Sequence, residues 1–265
     1  MFYKLFFIAL FFLFNGAFAN PNLALQCIRE NYSIQDQATY KYILKQLAKI
    51  PKHQTIQDYE NALKTGGLAD SFAYAYPLEF QTLESFQDST RIRDYIFLAS
   101  IYGENQSRVK SYLKALIWLD GSQILFNSNN GAYRALERVK HHLEQIIKDN
   151  PKALIYLKNI GGTYKWRKIA NTNRLSAHSF GIAIDINVAK SRYWLWDSNQ
   201  KAFKNNIPEI PLEIIQAFEK EGFIWGGRWW HYDTMHFEYR PEILCYAKKL
   251  KNAESKMLQS STLGF

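Results

Sequence analysis

The sequence predicts an α+β protein in which a helical N-terminal region precedes a mostly antiparallel sheet bearing a metal site. Three observations carry this reading. Across residues 34–148 the apolar side chains recur mainly at helical spacing. Beyond Gly161-Gly162 two short segments alternate apolar with polar or small residues, the period of strands. The histidines and acids of those later segments fall together on the non-core positions.

Taken in order, residues 1–19 read as an export leader. Lys4 is the positive flank, residues 5–14 are a short apolar run, and Ala17-Phe18-Ala19 offers small residues at the cleavage positions, so that the mature chain starts at Asn20. The run is shorter than the roughly 20 residues of a membrane-spanning helix, and no later stretch is apolar enough to span. Residues 20–105 form the helical region. Tyr40, Ile43, Leu44 and Leu47 share a helix face that Pro51 ends, and Ile56, Tyr59 and Leu63 mark a second helix closed by Gly66-Gly67. The core that carries the later motifs spans residues 106–250. In it Val109, Tyr112, Leu113, Leu116 and Ile117 read as another helical stripe, and residues 123–126 as a short strand after the Asp120-Gly121-Ser122 turn. Leu136, Val139, Leu143 and Ile146 then mark a helix that Asn150-Pro151 closes, and residues 251–265 read as a frayed tail.

The chemistry concentrates in two places. Ile182, Ile184 and Ile186 alternate with Ala183 and Asp185, so Asp185 leaves the core face, while Gly181 and Ala183 keep the approach to it clear. His178 lies just before this strand and can fold back toward Asp185. Downstream, Met235, Phe237 and Tyr239 alternate with His236, Glu238 and Arg240, which sets His236 on the polar face of a second strand. Two imidazoles and a carboxylate suit one zinc ion, and three protein ligands leave a fourth position for water, the mark of catalytic rather than structural zinc. Asp233, three residues before His236, is placed to act as general base, and Glu238 to orient a ligand imidazole or to replace Asp233 as base. Ser176 caps a turn, orients His178 or meets substrate. His231 is either substrate-facing or a packed, hydrogen-bonded histidine. His141 and His142 read as solvated and His53 as a loop residue without a partner. Trp194, Trp196, Trp229 and Trp230 are shared between core and groove, with one or two at an exposed rim.

These residues resemble the M15 metallopeptidases, within the larger group of D-alanyl-D-alanine peptidases, lysostaphin-type endopeptidases and hedgehog-like domains. The Ser-x-His-x-x-Gly-x-Ala-x-Asp pattern is matched from Ser176 to Asp185, and the later acidic-x-x-His pattern by Asp233 and His236. The stretch Gly222-Phe-Ile-Trp225-Gly-Gly227 resembles the branch of L-alanyl-D-glutamate endopeptidases. The resemblance implies His178, Asp185 and His236 as zinc ligands, Asp233 as base, and a basic residue upstream of the first histidine that holds the oxyanion. Arg167 is the candidate for that role and Arg174 the runner-up. It also implies the peptide part of peptidoglycan as substrate, cut at L-Ala-D-Glu, which the 222–227 stretch favours, or at D-Ala-D-Ala. A non-catalytic zinc module that binds cell wall is the alternative of a different class.

Charge and cysteine usage agree with an exported, periplasmic or wall-associated protein. The net charge of +9, or +8 once Lys4 leaves, suits an anionic polymer, while its even spread along the chain gives no nucleic-acid patch. Two cysteines, Cys27 and Cys245, are expected to pair in an oxidising compartment.

Overall fold

The computed structural model describes residues 19–81, 85–169, 174–196 and 209–262. The leader, apart from Ala19, lies outside them. Three capped helices open the chain: α1 (Pro21–Asn31), α2 (Gln37–Leu47) and α3 (Ile56–Thr65). Each starts where a short polar side chain accepts the otherwise unpaired first-turn amides: Asn20 for Leu23, Asp36 for Ala38 and Thr39, and a reciprocal Thr55/Asp58 box. Short 3-10 turns lead to α4 (Tyr95–Tyr102), capped by Asp94, and then to α5 (Gln106–Tyr112).

The helical stripe expected through Ile117 breaks at Tyr112. Residues after it form β1 (Leu113–Ile117), paired antiparallel with β2 (Gln123–Asn127), the strand expected there. The spacing of Leu113, Leu116 and Ile117 fits a helix, yet Ile117 is 56 % exposed, so that periodicity did not mark a buried face. The amphipathic helix α6 (Ala132–Asp149) follows as expected, then α7 (Leu154–Leu157).

A four-stranded sheet positions the site. It contains β3 (Ile160–Gly162), β4 (Ala183–Asn187), β5 (Phe223–Trp225) and β6 (His236–Tyr239), in the order β3-β4-β6-β5 with every neighbour antiparallel. Register does the decisive work: Ile184 faces Phe237 across the strands, and Asp185 faces His236. Because successive side chains alternate, the first pair lies on one face and the second on the other. On the apolar face α8 (Leu212–Lys220) packs Phe218 against Phe237 at 3.9 Å between ring centroids. Burying a side chain of that size contributes ~1.5–3 kcal/mol, and this holds the opposite face in place.

The last helix, α9 (Pro241–Thr262), continues through the segment read as a tail, its residues 251–256 exposed. Cys27 of α1 and Cys245 of α9 form a disulfide, with Cα atoms 5.6 Å apart. One apolar core runs from Ala24 through the sheet to Leu250, and a small second cluster joins Tyr59, Ala62 and Ile92. His53 is buried, not a loop residue without a partner: its Nε2 lies 2.9 Å from Asp70. His142 likewise meets Glu221 at 2.9 Å, whereas His141 remains solvated. Among the described residues no helix is long and apolar enough to cross a membrane.

Candidate active site

His178 reaches the sheet from a 3-10 turn (Ala177–Phe180) that Ser176 caps by accepting the His178 amide. Gly181 ends this turn with φ +66°, and a Cβ there would strike Leu113 at 2.7 Å. Gly181 therefore shapes the delivery of His178 rather than clearing the approach to Asp185. The glycine that leaves room beside Asp185 is Gly161 of β3, where a Cβ would stand 3.1 Å from the Asp185 Cβ and 2.8 Å from Val188.

His178 Nδ1 donates to the Thr163 carbonyl at 2.6 Å, which leaves Nε2 facing Asp185 Oδ2 at 3.1 Å. His236 is held the other way round. Its Nε2 lies 3.3 Å from Glu238 Oε2, and its Nδ1 faces Asp185 Oδ1 at 2.9 Å. All three groups offer a ligand atom within 4.8 Å of one another. Two ligands each ~2.0–2.1 Å from a tetrahedral zinc stand about 3.4 Å apart, so these separations suit a shared ion after a small outward movement. Both imidazoles have the far nitrogen tied to an acceptor, the arrangement that fixes tautomer and ring orientation in metal sites.

The electrostatics follow from burial opposed by pairing. Burial works against charge on Asp185, but hydrogen bonds from His178 and His236 outweigh it and hold the carboxylate well below its ordinary range. Burial also disfavours His236 imidazolium, yet Asp185 and Glu238 raise it to about 9. Asp233 differs. Burial, with the Asp185 charge adding to it, pushes its carboxyl up despite His236 and Arg91. Its Oδ1 is buried without a hydrogen bond, and its backbone is pinned by the Gly226 carbonyl and by a bridge to Tyr193. A carboxylate raised toward neutrality and left with a vacant acceptor is equipped to take a proton.

Asp185, His178, His236, Asp233, Ser176, Arg167 and Arg174 all line one cleft of about 210 Å³. The two arginines behave differently within it. Arg174 donates to the carbonyls of Ala62, Leu63 and Gly66 and so caps the end of α3. Arg167 is exposed, and its guanidinium makes no hydrogen bond among the described residues. His231 is packed away from the cleft, stacked on Tyr59 and 4.0 Å from the Trp194 ring. Of the tryptophans, Trp229 is buried in the cleft wall and Trp196 is 67 % exposed.

Sequence reasoning missed Arg91 and Arg93, which line the same cleft from the N-terminal region. Arg93 binds Glu238 with Nε at 2.9 and 2.7 Å from its two oxygens, and Arg91 donates to the His231 carbonyl. The only local signal was the alternation around buried Ile92, which sends both arginines to one side.

A family model described as D-alanyl-D-alanine carboxypeptidase, of the M15 peptidases, matches residues 170–239. Over that segment the chain is similar to the M15 peptidases. The matched stretch holds His178, Asp185, Asp233, His236 and Glu238, whereas Arg91, Arg93 and Arg167 of the same cleft precede it. An M15 peptidase domain implies a hydrolase with a peptide substrate. No curated protein and no solved structure matches the chain significantly.

Proposed function

We propose that the protein is an exported zinc peptidase that hydrolyses the stem peptide of peptidoglycan in the periplasm or wall, releasing the terminal residue as a D-alanyl-D-alanine carboxypeptidase. The observation that carries this reading is the His178, Asp185 and His236 cluster beside Asp233 in one cleft. The matched family's description supports the bond. So does the cleft itself: at about 210 Å³ it suits a short peptide end, and the positive charge of Arg91 and Arg167 on its walls favours a terminal carboxylate. The leader-like N-terminus and basic charge support export and an anionic polymer.

In this reading His178 Nε2, Asp185 and His236 Nδ1 would hold the ion. Zinc in that place supplies Lewis acidity and makes water acidic enough to lose a proton near neutral pH. Asp233 takes the proton of the attacking water and returns it to the leaving amine. Arg167, with its guanidinium uncommitted, faces the charge that develops on the carbonyl oxygen. Trp229 and Leu63 add apolar surface to the cleft wall beside these groups.

The resemblance of residues 222–227 to L-alanyl-D-glutamate endopeptidases rests on a stretch that the fold buries in β5 and the following turn. Product analysis separates the cases. A soluble pentapeptide muropeptide incubated with the zinc-loaded protein should release free D-alanine. A new D-Glu amino terminus would instead assign the endopeptidase, and binding with release of neither product would favour the non-catalytic wall module.

A further inference from the structure

Arg93 reaches the metal cluster from outside the matched peptidase segment, and everything around it is fixed. Its neighbour Ile92 is buried with Tyr59 and Ala62, and its other neighbour Asp94 caps α4 and also accepts from the Leu68 amide and the Tyr42 hydroxyl. The guanidinium lies over the Trp229 ring at 5.6 Å and forks onto Glu238, with Nη2 2.6 Å from Oε2. The same Nη2 stands 3.5 Å from His236 Nε2, so arginine and imidazole share one carboxylate oxygen.

Glu238 is completely buried. Its second cationic neighbour, Arg240, is engaged by Glu242 at 2.5 Å and stands 3.5 Å from Glu238. Without Arg93, Glu238 would lose its closest charge partner while itself fully buried. A buried carboxylate that loses its pair rearranges or draws in water.

We propose that Arg93 is a positioning residue of the metal centre: by holding Glu238 it fixes the His236 ring with Nδ1 turned toward Asp185. The N-terminal region is thereby part of the site and not an appended module. This rests on the reading that His178, Asp185 and His236 hold zinc.

The test is zinc affinity of the full mature chain, measured by competition with a chelator, with the thermal midpoint of the metal-free protein recorded in parallel. Arg93→Met should weaken zinc binding ~10- to 100-fold, the usual cost of losing a group that orients a ligand. Arg93→Lys restores charge without the planar fork and should recover part of the loss. Adding Glu238→Gln to Arg93→Met should cost less than the two changes summed, because no buried charge is then left unpaired. Arg228→Met breaks another buried arginine pair, with Glu219, and should lower the midpoint while leaving zinc affinity unchanged. Zinc affinity of Arg93→Met within twofold of the parent, or lowered no more than in Arg228→Met, would overturn the proposal. Should Arg93→Met not fold, parent-like affinity in both Arg93→Lys and Glu238→Gln overturns it. A parent chain that binds no zinc removes the underlying reading as well, an outcome distinct from a zinc-binding parent that is indifferent to Arg93.

Discussion

Among the described residues two clusters bring three potential metal ligands together, Cys27 with Glu30 and Cys245, and His178 with Asp185 and His236. In the first the sulfurs are spent on each other, and Glu30 is exposed and engaged by Lys249 and Gln26. In the second the outer nitrogens are tied to Thr163 and Glu238, and the inner atoms converge on one carboxylate. Proximity of ligand-type residues is therefore a weak criterion. What separates a staple from a site is whether the surroundings hold the outer edges and leave the inner atoms available.

The comparison makes opposite demands on the two clusters: changes at one should alter chemistry without stability, and at the other stability without chemistry. The largest effect is expected at Asp233. Asp233→Asn should retain zinc and the parent's thermal midpoint while D-alanine release falls ~100- to 10,000-fold. Turnover within a few-fold of the parent would remove Asp233 as base and leave Glu238 as the other carboxylate to test, although Glu238 is already committed to Arg93.

At the staple the effect is on folding. Removing the bridge with Cys27→Ser and Cys245→Ser frees a loop closed across 218 residues. Chain-entropy reasoning puts the loss at about 5 kcal/mol or less. Urea unfolding should show that loss, and zinc content per folded chain should not change. A double variant as stable as the parent would mean that the α1 and α9 contacts alone hold the N-terminus.

A smaller effect sharpens the contrast at His231, which lies near the cleft but outside it. Burial first, and then the Arg91 charge, lower His231 to about 4. Asp88 and Tyr59 face the same ring, and burial raises Asp88 to about 6. Since the folded state prefers neutral His231, its contribution is present above the ordinary value near 6.5 and is lost as pH falls toward 4. Asp88 has the opposite sign: its contribution is present at low pH and is lost as pH rises through about 6. Comparison with His231→Gln isolates the histidine. Between pH 7 and 4.5 the parent should lose roughly 2 kcal/mol relative to the variant in urea unfolding. An unchanged difference would show that His231 titrates normally.

The sheet half of the site was legible in the sequence because its information is local. Asp185 and His236 each sit on an alternating strand, and their pairing across β4 and β6 follows once both strands are antiparallel. The N-terminal half was not legible, since Arg93 meets Glu238 across 145 residues and nothing in its own neighbourhood signals a buried carboxylate. The same limit explains β1, where an apolar spacing suited to a helix belongs to a partly exposed hairpin. His53 shows it again, as a histidine beside a proline whose partner, Asp70, arrives from the turn after α3. Gly181 shows a third form of it, because its role depends on Leu113, which only the fold brings near.

The central claim is that His178, Asp185 and His236 hold one zinc ion, and metal analysis tests it most directly. The mature chain, loaded with zinc and passed through a desalting column, should retain one zinc per chain, and His236→Ala should retain little while keeping the disulfide and the fold. Stoichiometric zinc in His236→Ala, or none in the parent, would contradict the account.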